Sequence, residues 1–213
     1  ERATLLLELG EGVCALYGEH RGMRIMRRLA AAFFRGLPGA PALRAAFPQA
    51  NLRYDPQAIY SPATAIRIGK AIEPLDLEYY EDPCWGNVAM ARVRERVAIP
   101  LASNMATIDL DSTAEGLTLG SVDVILGDIF EWGGVTSILK LRGACEMFQV
   151  NLNYHSAAEL GIATAAYLHV AASAQALPHA LDTHVTELAA DVVKPGTVRL
   201  TERGTMTVPD GAG

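Results

Sequence analysis

The stretch LEYYEDPCWGNVAMARVRERVAIPLASN, residues 77–104, decides the fold. It opens on a short apolar-aromatic run, Leu77 to Tyr80, which ends in two adjacent acids, Glu81 and Asp82, and is stopped by Pro83. A helical segment follows, with Asn87 as a candidate cap. A second β-like run, IPLASN, then ends in another polar residue, Asn104. Strand, helix and strand joined by short connections predict parallel strands with a crossover helix.

The same unit recurs on both sides. The β-like runs are NLRYDP (51–56), LEYYEDP (77–83), IPLASN (99–104), VDVILGD (122–128), VNLNYHS (150–156) and PHALDTH (178–184). Between them lie helical segments. SPATAIRIGKAIE has Ser61 as N-cap and Pro62 at the first helical position. LDSTAEGLTL has Asp111 or Ser112 as its cap. GVTSILKLRGACEMF places Val135, Ile138, Leu139, Ala144, Cys145 and Phe148 on one face. AAELGIATAAYLHVAASA is small and apolar nearly all round, which predicts burial. The polar residues that end the runs are Asp55, Glu81, Asn104, Asp128, His155 and Asp182, at intervals of 26, 23, 24, 27 and 27 residues. That is about one βα unit each time. A closed βα barrel turns the carboxyl ends of its strands toward one mouth, where catalytic groups come from several strands. The expected fold is therefore α/β, a TIM-type (β/α) barrel. Neither GxGxxG nor GxxxxGK[ST] follows a strand, which disfavours a nucleotide-binding doubly wound sheet.

Bulk properties narrow the setting. The chain has 213 residues, half of them apolar, and a net charge of −6. There is no basic block, so nucleic acid is not the expected partner. No apolar run is long enough to span a membrane, and the first residues do not read as a signal peptide. Cys14, Cys84 and Cys145 are widely spaced and form no CxxC, so they read as buried small hydrophobes. The expected location is the cytoplasm.

The strand-end residues suggest a chemistry. Asp55, Glu81 and Asn104 offer three oxygen ligands, a set that suits Mg²⁺ with positions left for water or substrate. Asp128 and His155 end the next two runs, so the carboxylate can orient the imidazole and raise its pKa, as a general base requires. His184 follows Asp182 at the last strand end, where it can touch substrate; His169 reads as structural. A divalent ion beside a His–Asp pair is suited to removing the proton α to a carboxylate through an enediolate.

These segments resemble the enolase superfamily, in its mandelate racemase branch and most nearly the glucarate dehydratase group. EDPC, LASNMATID, VILGDIFEWGG, NYHS and LDTH are similar to that group's segments, in order, and FPQANLRYDP is similar to its approach to the third barrel strand. The resemblance covers residues 44–213. It implies a Mg²⁺-dependent hydro-lyase, a dehydratase of a glucarate-like acid sugar. Asp55, Glu81 and Asn104 become the metal ligands, His155 the base oriented by Asp128, and Gln57, Ser156 and His184 substrate contacts. Relatives of this kind commonly assemble, which is compatible with a homo-oligomer.

The sequence also departs from the family. The Lys-x-Lys of the second barrel strand should fall near GMRIMRRLA, where Arg24 and Met26 stand instead. Arginine stays protonated and is a poor base. Gln57 stands where the family has Asn. Residues 18–43 fit weakly, and nothing corresponds to the N-terminal capping domain. The first barrel strand is also missing, because the opening residues read as the helix before the second. The expected organisation is thus one incomplete barrel of about seven strands. Residues 1–43 match weakly, 44–191 carry the strand ends, and 192–213 form a strand-like tail, TVRLTE and TMTVPD. Two readings stay open: an acid-sugar dehydratase, or a catalytically inactive barrel fragment or partner subunit. Racemisation fits less well, because it needs bases on both faces of the α-carbon.

Overall fold

The computed structural model describes residues 51–174, 177–201 and 204–211. Its elements are β1 (Arg53–Tyr54), α1 (Pro62–Ile72), β2 (Tyr79–Glu81), α2 (Asn87–Arg94), β3 (Leu101–Ser103), α3 (Leu110–Leu119), β4 (Val124–Gly127), α4 (Val135–Phe148), β5 (Asn151–Tyr154) and α5 (Gly161–Ala172). The strands follow one another in sequence order, parallel wherever a register is given. This is the parallel α/β pattern that the 77–104 stretch predicts. Five strands are found among the described residues, against the expected seven. The second barrel strand expected near residues 22–30 lies outside the described residues, as do Arg24, Met26 and Cys14.

The chain divides into two compact units, Glu1–Trp85 with Ala89–Leu101, and Gly86–Val88 with Ala102–Gly213. In the first, β1 pairs with β2 (Arg53↔Tyr79, Tyr54↔Tyr80), and the Tyr80 N–H donates to the Pro100 carbonyl just before β3. The Tyr54 and Tyr80 rings stack at 5.5 Å. Arg53 bridges to Glu78 at 2.6 Å and lies over the Tyr79 ring. Helix α1 starts as its sequence dictates, with the Ser61 side chain accepting from the Thr64 N–H and Pro62 in the first turn.

In the second unit, β3 pairs with β4 (Ala102↔Val124, Ser103↔Ile125) and β4 with β5 (Gly127↔Tyr154). All of β4 is buried, as expected of a strand covered on both faces. Helix α4 covers it through Ile138, Leu141 and Cys145. That corrects the face read from sequence: Val135, Leu139 and Phe148 are exposed. Leu141, three positions after Ile138 and four before Cys145, completes the inward stripe. Helix α3 is capped by Asp109 in a capping box with Ser112, rather than by Asp111 or Ser112 itself. The apolar helix α5 is largely buried, but its Ile162 and His169 are exposed, so His169 fills no core position.

Two strand expectations are not met. Residues 178–184 form no strand. Pro178 supplies no N–H, and carbonyls of this segment are taken by side chains: Asn153 donates to Ala180 at 3.0 Å and the Tyr167 hydroxyl to Asp182 at 3.1 Å. In the tail, the described residues form a single bridge, Leu200↔Met206, in place of the expected strand pair. Cys84 and Cys145 are buried free thiols, as expected. Burial pushes them to about 11 and about 12, so neither is a ready nucleophile. No helix among the described residues is long and apolar enough to cross a membrane.

Candidate active site

Parallel register fixes which strand-end residues face one another, because a pair of aligned strands delivers its next residues side by side. In the first unit the last aligned pair is Tyr54↔Tyr80, so the next two residues are Asp55 and Glu81. Their loops are tied together: the Ala58 N–H donates to the Asp82 carbonyl at 2.7 Å, and Tyr60 to Pro83 at 3.2 Å. Asp55 accepts the backbone N–H of Gln57 at 2.7 Å on one oxygen and the Gln57 side-chain amide on the other. Gln57 thus faces Asp55, from a left-handed backbone position (φ 56°). Glu81 is buried at 9 % exposure, and Asp82 more deeply, at a φ of 33° that turns the chain toward Pro83.

In the second unit the last aligned pair of β4 and β5 is Gly127↔Tyr154, and the next residues are Asp128 and His155. The His155 backbone N–H donates to the Gly127 carbonyl at 3.0 Å. The imidazole Nδ1 lies 2.9 Å from Asp128 Oδ2. Asp128 Oδ1 accepts the Phe130 N–H at 2.6 Å and the Glu131 N–H at 3.3 Å. The carboxylate is therefore held at both oxygens, and its side chain is 2 % exposed.

Burial alone would raise the Asp128 carboxyl. The His155 hydrogen bond, the two backbone N–H groups and the His155 charge outweigh it and hold the carboxyl below the usual range. Burial likewise pushes His155 down, but the hydrogen bond and charge of Asp128, with the charges of Asp182 and Glu131, leave it above the ordinary histidine value. Glu131 is raised by burial and by the Asp128 charge, partly offset by His155 and by a hydrogen bond to the Asn104 side chain. Asp128, Glu131 and His155 bring ligating atoms within 4.8 Å of one another. The Asp128–His155 hydrogen bond accounts for two members of that cluster, which suits proton handling better than ion binding.

The second unit thus brings Asn104, Asp128, His155, Asp182, Ser156 and His184 into one linked set. The Ser156 N–H meets Asp182 Oδ2 at 3.4 Å, and its hydroxyl meets His184 Nδ1 at 3.0 Å. A small open pocket is lined by Asp128, His155, Glu159 and Tyr167 among others. Sequence reasoning missed Glu131 and Glu159. The available signal was position: each is an acid in the loop just after a strand end that carries a named residue.

The enolase C-terminal domain-like family model matches residues 39–213. The chain belongs to this family. It is 38 % identical over 173 residues to the "Probable glucarate dehydratase" of Streptomyces coelicolor, covering 81 % of this chain and 39 % of that one. A solved isomerase from Streptomyces coelicolor A3(2) superposes with a TM-score of 0.77 at 44 % identity, over 82 % of this chain and 46 % of that one. An enolase from Thermobispora bispora, solved with magnesium and formate, gives 0.75 at 40 % identity over 81 % and 41 %. The chain therefore spans less than half the length of these relatives. The fold is that of an enolase-type C-terminal barrel domain, with five parallel strands described.

Proposed function

We propose that this chain belongs to a dehydratase of a glucarate-like acid sugar, working with Mg²⁺ in the cytoplasm. The observation that carries the reading is the His155–Asp128 hydrogen bond at adjacent parallel strand ends, with Asp128 buried and both its oxygens engaged. The names of relatives add support, a glucarate dehydratase and several members of a D-galactonate dehydratase family.

Asp55, Glu81 and Asn104 are the residues that would hold Mg²⁺. They fit it chemically: all three offer oxygen, the donor type that Mg²⁺ prefers. Bound there, the ion would neutralise the substrate carboxylate and its enediolate. With Nδ1 engaged by Asp128, His155 acts through Nε2 and takes the proton α to the carboxylate. Asp128 stabilises the imidazolium that results. The same imidazolium returns its proton to the departing β-hydroxide, so water leaves and neutral His155 is regenerated. His184 contacts the sugar, with the buried Ser156 behind it, and the exposed Gln57 contributes beside Asp55.

The test is proton NMR of acid sugars incubated with the protein and Mg²⁺ in deuterium oxide. Dehydration by the wild type and none by His155→Gln is the expected result; product from the variant overturns the reading. A second reading, an inactive domain or partner subunit, is favoured by Arg24 and Met26 at the lysine positions. It predicts Mg²⁺ binding with neither dehydration nor α-deuteration.

A further inference from the structure

Ser156 is 1 % exposed, and its one hydroxyl serves two partners. The oxygen lies 2.7 Å from Glu159 Oε2 and 3.0 Å from His184 Nδ1. A hydroxyl has one proton to give, while an ionised carboxylate can only accept. The serine proton therefore goes to Glu159. That leaves the serine oxygen only as an acceptor toward His184, so the ring must carry its proton on Nδ1. A neutral imidazole with Nδ1–H has a bare Nε2 lone pair. Ser156 is fixed from its other side as well, since its backbone N–H meets Asp182. The bonding order is thus set by proton count and by a rigid buried hydroxyl.

We propose that Glu159 and Ser156 are positioning residues that lock His184 in the Nδ1–H tautomer, making its Nε2 a hydrogen-bond acceptor for a hydroxyl of the ligand. Glu159 lines the same pocket as His155 and Asp128, which places this relay beside the proposed base. A site that presents an acceptor discriminates against an analogue lacking the matching hydroxyl, because the acceptor is then left unmet. This rests on the dehydratase reading for the identity of the ligand, but the tautomer itself does not.

The experiment is long-range ¹H–¹⁵N NMR on metal-free protein labelled at histidine nitrogens, at pH 8, with His184 assigned by the signals lost in His184→Gln. The expected result is a protonated Nδ1 and a bare Nε2. Ser156→Ala should raise the Nε2–H population severalfold. A wild-type ring with its proton on Nε2, or on both nitrogens, overturns the proposal. The wild-type spectrum decides even where Ser156→Ala fails to fold. Because neither metal nor turnover is involved, failure of the dehydratase reading leaves this result unaffected.

Discussion

The two units solve the same geometric problem with different chemistry. In each, a parallel strand pair ends by delivering two polar residues side by side: Asp55 with Glu81 in the first, Asp128 with His155 in the second. Two carboxylates at neighbouring strand ends repel, and a cation relieves them. A carboxylate and an imidazole attract, and their hydrogen bond of 2.9 Å needs no third party. The lesson is that one register rule yields two kinds of site. The first pair suits the metal proposed above, and the second the proposed proton transfer.

The largest effect that could break this contrast is at the base. His155→Ala should lower kcat by roughly 10²–10⁴-fold while leaving Mg²⁺ affinity near wild type; calorimetry beside steady-state kinetics checks both. Asp128→Asn comes next, with a fall of roughly 10²-fold. It also carries a pH signature. Asp128 and the neighbouring acids hold His155 above its ordinary value, so the acid limb of the pH–rate profile should move to lower pH in the variant. The linked stability has a definite sign. The His155 part is fully present below about pH 6.5 and fades as the pH rises through the higher folded value. The Asp128 part is present above the ordinary carboxyl value and is lost as the pH falls through its depressed one. Urea unfolding across pH should show both slopes flattened in Asp128→Asn.

Smaller effects sharpen the account of how the pair is held. A Cβ on Gly127, the residue before Asp128, would sit 2.8 Å from Leu141 and 3.1 Å from Ile138. Gly127→Ala should therefore cost about 1–3 kcal/mol, read as a lower urea midpoint, because the buried Leu141 and Ile138 side chains must give way. Smallest is the cap of α3. Asp109→Ala should cost about 1 kcal/mol, with Asp111→Ala near neutral; equal losses in the two would mean the capping box is not the α3 start.

Much of this was legible in residues that obey local rules. Ser61–Pro62 announced α1, and the buried run VDVIL announced a central parallel strand. The spacing of Asp55, Glu81, Asn104, Asp128 and His155 located five strand ends, because a βα unit has a narrow range of lengths. What was not legible depended on tertiary choices. Residues 178–184 have strand-like composition, yet side chains of Asn153 and Tyr167 take carbonyls that a ladder would need. The inward face of α4 turned on Leu141, which sequence spacing alone did not single out. Glu131 and Glu159 sit in loops without periodicity, so only the folded chain shows Glu131 beside the dyad and Glu159 on Ser156.

The measurement that tests the division most directly is Mg²⁺ titration by isothermal calorimetry on wild type, Glu81→Gln and His155→Gln. The account predicts that Glu81→Gln loses at least about tenfold in affinity and that His155→Gln binds as the wild type does. Wild-type affinity in Glu81→Gln together with a loss in His155→Gln would put the metal on the wrong strand pair and contradict it.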